Sequence, residues 1–371
     1  VAINAPSGGI QLLTNNLTLG STLTTTLTQG TLDLNSLALT TGLFSSSNSN
    51  TRTIAFGTGS ITCSGTGTVW TTATVTNLTT TGTQVVNVTS AGSTAITVSP
   101  GALSEANSIS FNFTGGTYAL TFLTTSGYTA RNVNFTGYAG VWGTTSTTTI
   151  YGNLTLSTGM SLSASGSTMT FGATSGTKTI TSNGKTMDFP ITFNGVGGTW
   201  QLQDNMSVGS TRTTTLTNGS LDLTGNSGNW TLNTGVFSSA NTNTRSIAFG
   251  TGQIVITNNA TTVLSVTATN LTTTGTPYWN CTYGGSTGTR IFSTTATEAQ
   301  ANSLFNVGTS GSSGIVISQL KDGLTLTGSF GNVDLTPSTG TLTNTERTIY
   351  GSLTLPTSGL AIITSGTSKT T

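Results

Sequence analysis

Residues 213–252 read TTTLTNGSLDLTGNSGNWTLNTGVFSSANTNTRSIAFGTG, and residues 24–59 read TTTLTQGTLDLNSLALTTGLFSSSNSNTRTIAFGTG. One segment has been written twice. Leu27 matches Leu216 and Asp33 matches Asp222. After a four-residue insertion near Gly225, Phe44 matches Phe237, Arg52 matches Arg245 and Phe56 matches Phe249. A fixed period of this kind decides the architecture before any local reading does.

The likeness continues outward. Asn77-Leu-Thr-Thr-Thr-Gly-Thr83 recurs unchanged at Asn270–Thr276, and Ser104-Glu105-Ala106 recurs as Thr297-Glu298-Ala299. Thr149-Ile-Tyr-Gly-Asn-Leu-Thr-Leu156 returns as Thr348-Ile-Tyr-Gly-Ser-Leu-Thr-Leu355. The repeat unit is therefore about 190–199 residues long, with small insertions that belong in turns. This divides the chain into 1–189 and 190–371, the second incomplete at its C-terminal end, expected to form one continuous rod. Shorter echoes lie within a unit: Val133-x-Phe135-x-Gly137-x-x-Gly140-x-Trp142 has the spacing of Ile191-x-Phe193-x-Gly195-x-x-Gly198-x-Trp200. The chain opens on Val1 and starts and stops inside the repeat, so it reads as a processed product or an excerpt of a tandem array.

The local signal is strand. Leu32-Asp-Leu34, Ile109-Ser-Phe111-Asn-Phe113, Val133-Asn-Phe135, Leu154-Thr-Leu156 and Ile254-Val-Ile256 alternate apolar and polar side chains, which places one face of each inward. Gln29-Gly30, Asn183-Gly184 and Asn218-Gly219 are predicted turns. The best helical candidate is Thr295–Leu304, two turns at most. The fold class is all-β. Short strands, a thin aliphatic core and outward Thr, Ser and Asn predict a β-solenoid (parallel β-helix); the alternative is a string of tandem β-sandwich modules. Coils of ~22 residues with strands ~4.8 Å apart would give a rod on the order of 80 Å. Stacked Thr and Asn side chains bond along such an axis, so an uncharged exterior is tolerated there.

Composition removes several functions. Charged residues are 5% of the 371, the hydrophobic fraction is 33%, and the formal net charge is +1. The basic footprint needed for nucleic acid or an anionic membrane is missing, and no apolar run approaches ~18 residues. Neither nucleic-acid binding nor membrane insertion is expected. There is no histidine, which removes His-dependent triads and His-ligated metals.

The acidic residues are Asp33, Glu105, Asp188, Asp204, Asp222, Glu298, Asp322, Asp334 and Glu346. A carboxylate pair of the glycosidase kind is conceivable on a solenoid face. The recurrence of Asp33 as Asp222 and of Glu105 as Glu298 points instead to structural work: an Asp at a strand–turn junction accepting backbone N–H groups, and a Glu near a short turn or cap. The Asp residues are isolated, without the spacing of a calcium loop. No catalytic, cofactor-binding or metal residue is assigned.

Arg52 and Arg245 recur in one phrase. They suit either a ligand-facing row of guanidinium groups or solvated side chains lying over the next coil and bonding turn carbonyls; the second is preferred. Trp70, Trp142, Trp200, Trp230 and Trp279 could form a sugar-binding stripe, but Trp70 matches Val263 and Trp200 matches Gln11, which favours packing or surface roles. Cys63 and Cys281 align with aliphatic residues and read as small buried hydrophobes. About a dozen Asn-x-Ser/Thr sequons, Asn77, Asn87, Asn153 and Asn270 among them, are what this composition produces by chance. Thr spacing is not regular enough to favour an ice-binding ladder.

The phrases TLTNGSLDL, SSSNSNTRTIAFGTG and TIYGNLTL resemble the Thr/Gly-rich β-helical repeats of phage tail and head fibres and of filamentous-haemagglutinin-like adhesins. What the resemblance implies is an extracellular or virion-surface setting. The expected function is a non-enzymatic structural repeat, a stiff spacer in a virion-associated fibre or extracellular filament. Its expected partners are copies of itself or neighbouring fibre segments, with any cell-surface glycan engaged through regions outside this chain. A bacterial adhesin passenger and a β-helical polysaccharide depolymerase are the alternatives.

Overall fold

The inward and outward alternation read from the sequence becomes a stack of short strands, each pairing with the strand one coil later. The computed structural model describes residues 1–5, 9–258, 262–282, 289–304, 314–317, 323–336, 341–344 and 347–364. Two compact units result, Val1–Phe171 and Gly172–Thr371. This spatial division is distinct from the sequence period.

In the first unit one inward column runs Leu17, Leu39, Ile61, Val86, Phe111, Val133 and Leu154, each opposite the next in parallel register, at steps of 22, 22, 25, 25, 22 and 21 residues. In the second unit the column Met206, Leu232, Ile254, Trp279, Ile315, Val333 and Leu353 steps by 26, 22, 25, 36, 18 and 20. The pairings between described strands are parallel throughout, whereas a β-sandwich requires antiparallel ones. Each unit is a β-solenoid.

The 36-residue coil is long because it carries the helix Glu298–Leu304, within the predicted span. Ala301 and Leu304 are buried, and the Leu304 carbonyl accepts the Trp279 indole N–H at 3.1 Å. The four-residue insertion near Gly225 lies in a turn as expected, a single 3₁₀ turn over Gly225–Ser227.

Two of the predicted turns are something else. Gly30 and Gly219 lie inside the ten-residue strands Thr24–Asp33 and Thr213–Asp222, not between strands. In each, the first half pairs with one strand of the next coil and the second half with another: Thr24–Thr26 with Leu43–Ser45, then Gly30–Asp33 with Arg52–Ala55. Thr213–Thr215 and Gly219–Asp222 repeat this against Val236–Ser238 and Arg245–Ala248. The chain turns a corner of the coil without leaving the ladder. The inward phase slips by one residue there, so both strands show the same burial sequence, with two successive half-buried residues before the glycine. The glycines adopt φ +84° and +78°, a left-handed conformation costly for any side chain. Asn183-Gly184 does form a turn: both residues have positive φ, and Lys185 N–H donates to the Ser182 carbonyl at 3.0 Å, the pattern of type I′.

This difference is measurable. A Cβ at Gly219 would lie 2.4 Å from the Gly195 carbonyl oxygen, while one at Gly184 meets nothing within 4 Å. Gly184→Ala carries backbone strain alone, about 1 kcal/mol, and Gly219→Ala adds a backbone clash and should cost at least about twice that. Urea denaturation of both variants checks the ratio.

The core mixes aliphatic and aromatic side chains, and most of its aromatic rings are carried by strands. Phe44 stacks on Trp70 with ring centroids 4.4 Å apart; Trp70 meets Phe111 edge-on, and Phe113, Phe135 and Trp142 continue the contacts. The internal echo is also three-dimensional: Phe135 and Trp142 lie 4.8 Å apart, and their counterparts Phe193 and Trp200 lie 5.6 Å apart. Buried hydroxyls are paired in both copies: Thr25 donates to Thr41 at 3.1 Å, and Thr214 and Thr234 share a bond of 2.9 Å. A buried polar group keeps its cost low only when so matched.

Candidate functional site

The feature reproduced most closely between copies is the corner at which Gly30 lies opposite Arg52 and Gly219 opposite Arg245. The absent side chain at the glycine and the arginine on the next coil occupy one rung. Both arginines are buried, 0% and 1% exposed. The preferred reading of a solvated side chain is therefore corrected, while the expected bonds to turn carbonyls are present.

The Arg52 Nε donates to the Asn50 carbonyl at 2.9 Å. Nη1 donates to the Ser46 carbonyl and to the Ser46 hydroxyl, and Nη2 to the carbonyls of Thr74 and Thr76 at 3.1 and 2.7 Å. The Arg245 guanidinium repeats this set: Asn243 at 2.8 Å, the Ser239 carbonyl and hydroxyl at 2.6 and 2.7 Å, and Thr267 and Thr269 at 3.0 and 2.6 Å. A guanidinium has five N–H donors, and here all five are engaged. The acceptors belong to the arginine's own loop and to the loop one coil later, so the side chain staples consecutive coils. Among the described residues the one ion pair is Arg212 with Asp188, at 2.7 Å; both buried cations are held by neutral dipoles. Burial pulls each guanidinium below its ordinary pKa, without bringing it within reach of deprotonation. With no exposed face, these arginines do not form a ligand-facing row.

A third rung of this kind went unnoticed in the sequence. Gly328, at φ +95°, lies opposite Arg347, which is buried and donates to the Thr343 carbonyl at 3.3 Å. The missed signal is a glycine followed 22, 26 or 19 residues later by an arginine.

The carboxylates serve the backbone. Asp33 accepts the Asn35 N–H and Asp222 the Thr224 N–H, both at 2.8 Å, and Asp334 accepts the Thr336 N–H at 2.9 Å. These are Asx turns closing strands, as expected for the first two. Asp222 also accepts the Gln201 amide from the preceding coil at 2.8 Å. Asp204 accepts the backbone N–H groups of Ser182 and Asn183. Glu298 lies in the first turn of its helix, and Glu105 in the turn whose carbonyls accept Arg131 and Ser108. Asp322 and Glu346 lie outside the described residues. No group of three or more His, Cys, Asp or Glu clusters among the described residues, and no described helix is long and apolar enough to cross a membrane.

The tryptophans form no stripe. Trp70, Trp142, Trp200 and Trp279 are core residues with no exposure. Trp230, which aligns with Leu37 of the first copy, is half-buried and donates to the Gly225 carbonyl at 2.7 Å, covering the inserted turn. Cys63 is a free thiol buried where the second copy has the equally buried Ile256, and burial pushes its pKa up to about 12. It is chemically quiet. The Cys281 side chain lies outside what is described.

The exterior is a set of uncharged columns. In the first unit Thr18, Thr40, Thr62, Asn87, Asn112, Asn134 and Thr155 follow one another rung by rung, and Asn112 donates to Asn87 at 2.9 Å. In the second unit Thr192, Thr215, Ser238, Ser265, Ser293 and Thr327 do the same. The mixture of Thr, Asn and Ser is why the Thr pattern looks irregular in the sequence.

Comparison with known protein families, with curated proteins and with solved structures finds no match.

Proposed function

We propose that this chain is a non-enzymatic structural repeat, a stiff β-solenoid spacer in a virion-associated fibre or another extracellular filament, working alongside copies of itself or neighbouring fibre segments. The observation that carries the reading is the duplicated corner. Five guanidinium donors, the Asx carboxylate and the buried Thr pair are reproduced at matching positions in both copies, and every one of these groups bonds to its own coil or an adjacent one. These side chains are thus engaged in closing turns and in holding coil to coil. In a stacked architecture each coil touches its neighbours, and stiffness follows from the ladders along the stack.

The reading is tested by exposing the protein to a panel of bacterial surface polysaccharides and assaying for released reducing ends, in parallel with trypsin and chymotrypsin digestion at native temperature. The expected result is no cleavage of the glycans and persistence of the intact chain. Depolymerisation that a single acid-to-amide change at Asp33, Asp188, Asp204, Asp222 or Asp334 abolishes would establish an enzyme instead.

A further inference from the structure

A second corner repeated between copies keeps its backbone and has diverged in its side chains. In the second unit a cavity of about 220 Å³ is lined by Thr251, Gln253, Thr276 and Tyr278. Their counterparts in the first copy are Thr58, Ser60, Thr83 and Val85. The backbone is the same at both places. Gly250 and Gly275 have φ +58° and +78°, as Gly57 and Gly82 have +58° and +87°. Thr276 N–H donates to the Gly250 carbonyl at 2.7 Å, and Thr83 N–H to the Gly57 carbonyl at 2.8 Å. What changes is the side-chain set: two hydroxyls are kept, a serine becomes a glutamine, and a valine becomes a tyrosine.

The replacements line the recess with an amide and an aromatic ring. Tyr278 lies opposite Gly314 on the next rung, where the first copy places Ser110 opposite Val85, so the rung partner of the tyrosine has no side chain. Tyr278 is half-buried and Gln253 stands on the rung before it, itself opposite Thr231. The Gln253 amide is weakly held: its Nε2 reaches Thr231 Oγ1 at 3.4 Å, and its Oε1 has no partner among the described residues. A buried amide oxygen left without a donor is uncommon in a folded protein and calls for an explanation. The same side chain lines the cavity. Burial and, secondarily, the nearby Asp334 carboxylate raise the Tyr278 phenol, which keeps it a hydrogen-bond donor at physiological pH.

We propose that this cavity is a binding site for one pyranose ring of a neutral glycan, with the Tyr278 ring as the stacking face and Gln253, Thr251 and Thr276 as hydrogen-bonding partners. The chemistry selects that class. An aromatic ring offers an apolar face to the C–H groups of a sugar, and an amide with two hydroxyls supplies both donors and acceptors. No cation stands among the described residues that line the recess, which therefore offers no charge-assisted donor of the kind that phosphate or carboxylate ligands require. Its size suits a single ring. The site is independent of the spacer reading, since a structural segment with or without a glycan contact has the same coils.

The experiment titrates the native protein with methyl β-D-glucopyranoside, methyl β-D-galactopyranoside and methyl α-D-mannopyranoside, read by saturation-transfer NMR. The variant Gln253→Ser with Tyr278→Val restores the side chains of the first copy, which this scaffold already accommodates; Tyr278→Val alone is the second variant, and circular dichroism reports that each is folded. Saturable binding of at least one glycoside is expected, weakened by more than about threefold in both variants. The proposal is overturned if none of the three binds saturably, or if either folded variant binds within about threefold of the native affinity.

Discussion

Replacing Arg245 with methionine is expected to destabilise the second unit by about 3–5 kcal/mol. The change keeps the apolar stem and removes five donors, so the carbonyls of Asn243, Ser239, Thr267 and Thr269 and the Ser239 hydroxyl lose their bonds at once. An acceptor left buried without a donor costs about 1–3 kcal/mol, and water entering the opened loop recovers part of that. Arg245→Lys is not a conservative change here. An ammonium carries three donors on a flexible stem and does not span five acceptors arranged for a planar fork. Chemical denaturation gives the size of the loss, and hydrogen exchange gives its place: amides of the loops around 239–243 and 267–270 should lose protection first. Arg52→Met should act likewise on the first unit. An effect below about 1 kcal/mol would mean the guanidinium is an ornament of the corner, not its staple.

The second large effect is in the aromatic core. Trp70→Ala should cost about 3–5 kcal/mol, the range for emptying a fully buried aromatic site. Trp70 has no exposed surface, stacks on Phe44 at 4.4 Å, meets Phe111 at 6.1 Å, and donates to Thr72 Oγ1 at 2.9 Å. Trp230→Ala, by contrast, uncovers one inserted turn and should cost no more than about 1–2 kcal/mol. Equal losses for the two would contradict the assignment of four tryptophans to the core and one to a turn cover.

Much of this architecture was legible in the sequence, because a repeat is visible without knowing what it folds into. Alternation at Leu32-Asp-Leu34 and its copy marks strands, and matched phrases separated by a four-residue insertion mark turns that tolerate length. The corners were not legible. A glycine after Gln or Asn normally signals a chain reversal, and only the pairing of each strand half with a different partner shows that Gly30 and Gly219 bend a continuous ladder. The buried arginines were hidden for a related reason. A cation is rarely placed in an interior without a carboxylate, and no local pattern announces that loop carbonyls from two coils will converge on it. Arg347 escaped because the match of Thr149–Leu156 with Thr348–Leu355 sets it opposite Thr148, so its Arg-Thr-Ile was not compared with that of Arg52. The cavity at Tyr278 likewise emerges only when the two copies are superposed by rung and their differences compared.

The unequal coil steps have an evolutionary corollary. Within one unit the distance from rung to rung ranges from 18 to 36 residues, yet the inward column keeps its register. Genetic gain or loss of loop segments is therefore neutral to the ladder so long as strand phase is preserved, and unequal recombination between the two near-identical stretches would lengthen or shorten the gene by whole coils. Such a lineage can diversify its surface at the corners while its interior stays under one set of constraints.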